Sequence, residues 1–215
     1  MRTIYNMIYL LLMVSVFISC GKEDIEAEST SIIADYPLIS HFDDVSGNNP
    51  AINQQNVVFE DQSIFIDGNY LWDDDTGSVL WTSVIEKWDL DDFKISLDFK
   101  LVEWPQRYKP ILVLGNSKRW GMISVSPLGF MNSAFHDIPP QKENNTIEKV
   151  ETNEWHKLLI EYSSDQSRFE VYLNDNRVIL KENFQIIHGG DQTLAAHHGG
   201  LGIIFHGNWK NLKIY

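Results

Sequence analysis

Cysteine is almost missing from this 215-residue chain, which contains only Cys20. A single thiol cannot form an intramolecular disulfide, so packing must hold the fold together, with or without the help of a metal ion. Basic residues are also scarce: 17 lysines and arginines stand against 30 aspartates and glutamates, and the formal net charge is −13. Such a surface repels nucleic-acid phosphates and anionic lipid headgroups. We therefore expect no nucleic acid among the partners and no membrane attachment through a basic patch.

A long hydrophobic run is missing too. The apolar stretch at residues 7–18 follows Arg2 and is short for a comfortable bilayer span. Ser19, a small residue, then precedes Cys20. A positive start, a short apolar run and a small residue are typical of a secretory signal peptide that ends at a cleavage site. The alternative is an uncleaved N-terminal membrane anchor with an incidental cysteine.

The segment Phe-Ile-Ser-Cys at residues 17–20 resembles the lipobox of bacterial lipoproteins, although that pattern usually has leucine where Phe17 stands. The resemblance implies that residues 1–19 are a signal peptide and that Cys20 becomes a lipidated first residue. Residues 21–31 are polar and acidic, which predicts a flexible tether over residues 20–33. We expect a protein anchored by lipid to the bacterial envelope, at the outer membrane, facing either the periplasm or the cell exterior.

Strand patterns dominate the rest of the chain, residues 34–215. Between Phe93 and Leu101, five apolar residues alternate with four polar ones, which predicts a strand with one buried face. The Asn-Asp-Asn run at residues 174–176 predicts a hairpin turn, and residues 127–141 predict a long loop. Many short strands separated by turns indicate an antiparallel sandwich. Further predicted strands are 63–67, 111–114, 122–125, 158–162, 168–173, 201–205 and 209–215.

Several segments of the chain resemble motifs of the laminin G-like branch of the concanavalin A-like lectin/glucanase superfamily. They are YPL at 36–38, DVSGN at 44–48, IDGNYL at 66–71, FKISLDFK at 93–100, EWHKL at 154–158, EVYLND at 170–175 and FHGNWKNLKIY at 205–215. The resemblance implies a two-sheet antiparallel jelly-roll sandwich that binds carbohydrate. The closing segment also resembles the end of sandwich proteins related to glycoside-processing enzymes.

Carboxylates offer two kinds of site. Retaining glucanases of this fold carry E-x-D-x-x-E or E-x-D-x-x-x-E on one strand, and no such segment occurs here, so we assign no catalytic residue. Asp44 and Asp67 lie in acidic loops that could hold a structural calcium ion, since calcium prefers gathered oxygen ligands. In the family's closing strand, however, two acidic positions are Lys210 and Asn211 here. Solvated acidic loops are the competing interpretation.

Aromatic residues are the best candidates for a ligand site. Exposed rings stack on the apolar faces of sugars while polar neighbours take the hydroxyls. The candidates are Trp72, Trp104, Tyr108, Arg119 and Trp120, which lie near loop-like segments. The competing interpretation is that these tryptophans cover the ends of the sandwich. Trp155 is instead expected in the core, because it opens a central strand in the family pattern.

Three functions follow from these patterns. The first is a lipid-anchored, non-catalytic envelope module that binds a glycan. The second is a glycoside-processing enzyme on the same fold, and the third is a structural or protein-interaction module.

Overall fold

The computed structural model describes residues 32–68, 77–82, 92–106, 109–115, 120–135, 148–185, 200–203 and 206–215. Within these ranges the secondary structure consists of strands, with no helix and hence no helix long and apolar enough to span a membrane. The strands are β1 Ala34–Tyr36, β2 Asn53–Gln55, β3 Val58–Glu60, β4 Ser63–Ile66, β5 Val79–Thr82, β6 Asp92–Leu101, β7 Lys109–Gly115, β8 Trp120–Val125, β9 Met131–Phe135, β10 His156–Ser163, β11 Arg168–Leu173, β12 Asn176–Glu182, β13 Gly200–Ile203 and β14 Gly207–Ile214.

These strands form two antiparallel sheets. The first sheet has the order β12-β11-β10-β6-β14-β4-β3, and β1 also pairs with β14. The second sheet has the order β2-β5-β13-β7-β8-β9. The last two strands of the chain, β13 and β14, are each inserted between earlier strands, one in each sheet. The predicted two-sheet antiparallel sandwich is confirmed.

Strand β6 lies at the centre of the first sheet, between β10 and β14. Its side chains alternate between buried and half-buried from Phe93 to Leu101, as the period-two pattern predicts. Its buried face packs in a single hydrophobic core with buried residues of β10, β11 and β14, and with Ile111 and Ile123 of the second sheet.

The predicted turn at residues 174–176 is a two-residue hairpin between β11 and β12. Leu173 pairs with Asn176, and the two residues between them, Asn174 and Asp175, have φ values of 50° and 67°. Positive φ at both central positions is the geometry of a type I′ turn, which matches the twist of the flanking strands. Asparagine and aspartate tolerate this conformation better than other residues with side chains.

Two predictions about local structure are wrong. Trp155 is 39% exposed instead of buried, whereas Trp209 in β14 is fully buried among the tryptophans whose burial the structure describes. His156, the first residue of β10, pairs with Phe99 and is buried, so the alternation along the strand turns Trp155 away from the core. In the region predicted as a loop, Met131–Phe135 form β9, which pairs with β8.

Candidate functional site

Trp104 lies just beyond the end of β6 and is held by two neighbouring segments. Its indole Nε1 donates a hydrogen bond of 2.8 Å to the carbonyl of Val150. Gly129, with a φ of 84°, lies flush against the ring, and a Cβ at this position would be 3.0 Å from Nε1. Glycine suits this position for two reasons: it adopts a positive φ without strain, and it has no side chain to crowd the indole. The ring is 38% exposed, so a fixed part of it faces solvent.

The turn below Trp104 is fixed by Ser126. The Ser126 hydroxyl accepts hydrogen bonds from the backbone N–H groups of Leu128 and Phe130, and its carbonyl accepts one from Gly129. The Gly129 carbonyl in turn accepts a 2.9 Å hydrogen bond from the Val150 N–H. These hydrogen bonds connect the turn to Val150, whose carbonyl accepts the hydrogen bond of the indole. The backbone on both sides of Trp104 is therefore fixed.

A basic side chain lies beside this ring, and an apolar one is exposed on the turn that contacts it. The Lys149 Nζ is 5.4 Å from the centroid of Trp104 and 5.5 Å from that of Phe130, which places one ammonium between two aromatic rings. Leu128 is 67% exposed at the tip of the turn. We call this group the Trp104 platform; it comprises Trp104, Leu128, Gly129, Phe130, Lys149 and Val150. It combines an exposed aromatic surface with one hydrogen-bond donor of positive charge.

The side chains of the other predicted ligand-binding residues lie outside what the structure describes. Trp72, Tyr108 and Arg119 lie outside the described residues. Trp120 is the first residue of β8, where its backbone pairs with Gly115, and its side chain is not described. Cys20 also lies outside the described ranges. For these five residues the assignments stay predictions.

Asp44 is buried, with 8% of its surface exposed, and its carboxylate accepts five hydrogen bonds. Oδ1 accepts from the backbone N–H groups of Asp35 at 2.8 Å and Ser46 at 3.0 Å. Oδ2 accepts from the Ser46 hydroxyl at 2.7 Å and from the backbone and side-chain N–H groups of Asn49 at 2.9 and 3.0 Å. Burial alone would raise the pKa of Asp44, but these hydrogen bonds outweigh it and hold the pKa below its usual value.

The hydrogen bonds give Asp44 a structural role. They fasten the loop after β1 to the strand itself, and the Asn49 side chain adds a 2.7 Å bond to the carbonyl of Ile33. Both carboxylate oxygens are engaged by protein donors, so a calcium ion would have to displace them. Asp67 directly follows β4 and is half-buried. In the described part of the chain no three His, Cys, Asp or Glu side chains gather as a metal site, and the calcium assignment stays a prediction.

A second group of side chains, which the sequence patterns do not predict, places two lysines around Trp155. The Lys210 Nζ lies 4.0 Å from the indole centroid and the Lys100 Nζ lies 5.4 Å from it. Trp155 directly precedes β10, Lys210 lies in β14 and Lys100 lies in β6, so only the sheet order brings the three together. The signal that could have located Trp155 is its position one residue before a buried histidine in an alternating strand.

Comparison with known proteins identifies the fold and no family. No family model and no curated protein matches the sequence. Among solved structures, domain 4 of an extracellular GH43 arabinanase from Geobacillus stearothermophilus, in complex with arabinotriose, is 17% identical with a TM-score of 0.61. A Trypanosoma rangeli sialidase mutant with trans-sialidase activity is 12% identical with a TM-score of 0.64, and the botulinum neurotoxin serotype C1 binding domain is 11% identical with a TM-score of 0.56. The chain shares its β-sandwich fold with all three.

The extent of these matches differs. Each covers 86% of this chain, but the match spans 92% of the arabinanase domain, 30% of the sialidase and 48% of the toxin binding domain. The chain therefore corresponds to a whole domain of the arabinanase and to less than half of the other two proteins. At these identities the likeness establishes the fold and transfers no site.

Proposed function

We propose that this chain is a non-catalytic carbohydrate-binding domain, attached by lipid to the bacterial envelope. The observation that carries the proposal is the Trp104 platform. A half-exposed indole fixed by a hydrogen bond and a glycine contact is the kind of surface on which a sugar ring stacks.

The fixed position of the Trp104 indole favours a role in ligand binding over the interpretation that it only covers the end of the sandwich. A side chain that is already ordered loses little conformational entropy when a ligand binds, so more of the contact energy appears as affinity. Lys149 places a donor next to the ring for sugar hydroxyls, and Leu128 is an exposed apolar side chain on the same turn as Gly129. Together they supply the mixture of aromatic surface and few polar groups that small-ligand sites have.

The structural neighbours support the same class of ligand. The arabinanase domain was solved with arabinotriose, and a T. rangeli sialidase, of which the match spans 30%, was solved with sialic acid. The first of these has nearly the same extent as this chain, which makes a self-contained carbohydrate-binding domain the simplest common description. The laminin G-like character expected from the motifs belongs to this proposal.

A screen of the full chain, purified in detergent, against an array of plant, microbial and animal glycans tests the proposal. We expect a defined set of bound glycans, with each hit recovered intact after prolonged incubation. Cleavage of a hit would favour the glycoside-processing alternative. The absence of any glycan hit would contradict the proposal and favour the structural or protein-interaction alternative.

The lipid anchor is proposed from Cys20. If this residue is lipidated, Cys20→Ser abolishes incorporation of a fatty-acid probe and leaves the signal peptide uncleaved. Membrane fractionation would then place wild type in the outer membrane. Equal labelling of wild type and variant would instead favour an uncleaved N-terminal anchor.

A further inference from the structure

The outer face of the first sheet carries a compact aromatic and basic cluster at Trp155. Lys210 of β14 pairs with Asp98 of β6, whose side chain points away from the core. Lys210 therefore lies on the outer face of the sheet. Lys100 lies two residues further along β6 on the same face. Both ammonium groups lie within 5.4 Å of the Trp155 ring centroid. We call Lys100, Trp155 and Lys210 the Trp155 cluster.

Other lysines on this face are neutralised by carboxylates. Lys94 forms an ion pair with Glu161 at 2.7 Å, Lys157 with Asp175 at 3.3 Å and Lys213 with Asp35 at 3.2 Å. Among the described residues, no such ion pair engages the lysines of the Trp155 cluster, which contact the indole instead.

Asp98, the carboxylate opposite Lys210, accepts a 2.6 Å hydrogen bond from the Asn211 side chain. One oxygen of the carboxylate across from Lys210 is therefore engaged by a neutral amide. In a chain with a net charge of −13, two ammonium groups beside one exposed aromatic ring form a local positive site.

We propose that the Trp155 cluster binds an acidic sugar residue of a glycan, with the indole against the sugar ring and the two lysines on its carboxylate or sulfate. This inference extends the proposed carbohydrate-binding function and rests on it for the sugar part of the ligand. Lys210 now lies over the ring, but its flexible four-carbon stem lets the ammonium turn to an anion without losing its place beside the indole. Charged donors form the stronger hydrogen bonds to such anions.

The overall charge of the protein limits the ligand further. A net charge of −13 repels a long polyanion. Two lysines match one acidic group, so the ligand carries an isolated acidic sugar on an otherwise neutral glycan.

Calorimetry on the full chain in detergent tests this inference with matched pairs of probes. The pairs are sialyllactose against lactose, and a glucuronic-acid-capped xylo-oligosaccharide against its uncapped counterpart. We expect wild type to bind at least one acid-capped probe about tenfold or more tighter than its neutral counterpart, as the loss of a hydrogen bond to a charged group implies. Lys100→Gln with Lys210→Gln removes that preference, and Trp155→Ala weakens the acid-capped probe by a similar or larger factor.

The control is the double variant Lys94→Gln with Lys213→Gln, which removes two ion-paired lysines of the same face. It should keep the preference. Equal affinity of wild type for capped and neutral probes overturns the inference, as does an equal loss in the control.

The Trp104→Ala variant separates the two proposals. If it abolishes neutral-glycan binding while Trp155→Ala leaves acid-capped binding unchanged, the Trp155 cluster is refuted and the Trp104 platform stands. If acid-capped binding requires Trp155 and Trp104→Ala leaves neutral-glycan binding unchanged, the Trp155 cluster stands and the Trp104 platform is refuted.

Discussion

The Asp44 carboxylate should stabilise the fold by about 2–4 kcal/mol through its hydrogen bonds, although its sequence context also makes it a metal-ligand candidate. Asp44→Ala removes the acceptor of five hydrogen bonds and leaves three backbone N–H groups, those of Asp35, Ser46 and Asn49, without their present partner. A buried donor without a partner costs about 1–3 kcal/mol. Because several residues of this loop are exposed, we expect water to replace the lost acceptor for some of these donors. One or two donors then stay unpaired, and we expect the free energy of unfolding to fall by about 2–4 kcal/mol.

Asp44→Asn tests whether charge and geometry both matter. The amide keeps one acceptor for the two donors at Oδ1 and places an N–H₂ group against the three donors at Oδ2. We expect Asp44→Asn to be nearly as destabilising as Asp44→Ala. Equilibrium unfolding in urea at pH 7 measures both. Wild-type stability in Asp44→Asn would refute the reasoning.

The pH dependence provides a second check on Asp44. Its pKa is lowered in the folded state, so its contribution to stability is fully present above the unfolded-state pKa of about 3.9. The contribution is lost as the pH falls through the folded-state pKa. The stability gap between wild type and Asp44→Asn should therefore narrow in acid. Adding calcium or a chelator at pH 7 should leave the gap unchanged, whereas a gap that depends on calcium would favour the metal-ligand interpretation.

Three further tests of the packing use five substitutions. Trp209→Ala should cost about 3–5 kcal/mol in urea unfolding because Trp209 is fully buried, while Trp155→Ala should cost less than about 1 kcal/mol; similar losses would contradict the assignment of their faces. Leu97→Ala should cost about 2–5 kcal/mol and Ser96→Ala much less, since they occupy opposite faces of β6, and comparable thermal shifts would mean that the register is wrong. Gly207→Ala should lower the yield of folded protein, because its Cβ would collide with a backbone carbonyl of β6; a native melting temperature would refute this close approach.

The local parts of the fold follow from the sequence because they depend on short-range rules. The alternation of apolar and polar residues predicts the extent of β6 and its buried face. Asn174 and Asp175 predict the turn because both residue types tolerate the positive φ that the turn requires. β9 is not predicted because its five residues, Met131–Phe135, include asparagine, serine and alanine. So short a segment with so few large apolar residues is typical of a loop.

The parts that were not predicted depend on which strands become neighbours. Trp209 is buried because β14 is inserted between β6 and β4, a pairing of segments far apart in the sequence. The same insertion brings Lys210 to Trp155, and Trp104 finds its acceptor 46 residues away at Val150. Composition identified tryptophans as ligand candidates, but only the sheet order shows which described rings face solvent with lysines beside them.

The measurement that tests the central claim most directly is calorimetry of wild type and Trp104→Ala against a neutral glycan found in the screen, with melting temperatures recorded for both. We expect Trp104→Ala to cost about 2 kcal/mol or more of binding free energy, roughly thirtyfold in affinity. Its melting temperature should fall only slightly, since the ring is 38% exposed and loses one hydrogen bond to a carbonyl. Unchanged affinity in a folded Trp104→Ala protein would contradict the claim that this domain binds carbohydrate through the Trp104 platform.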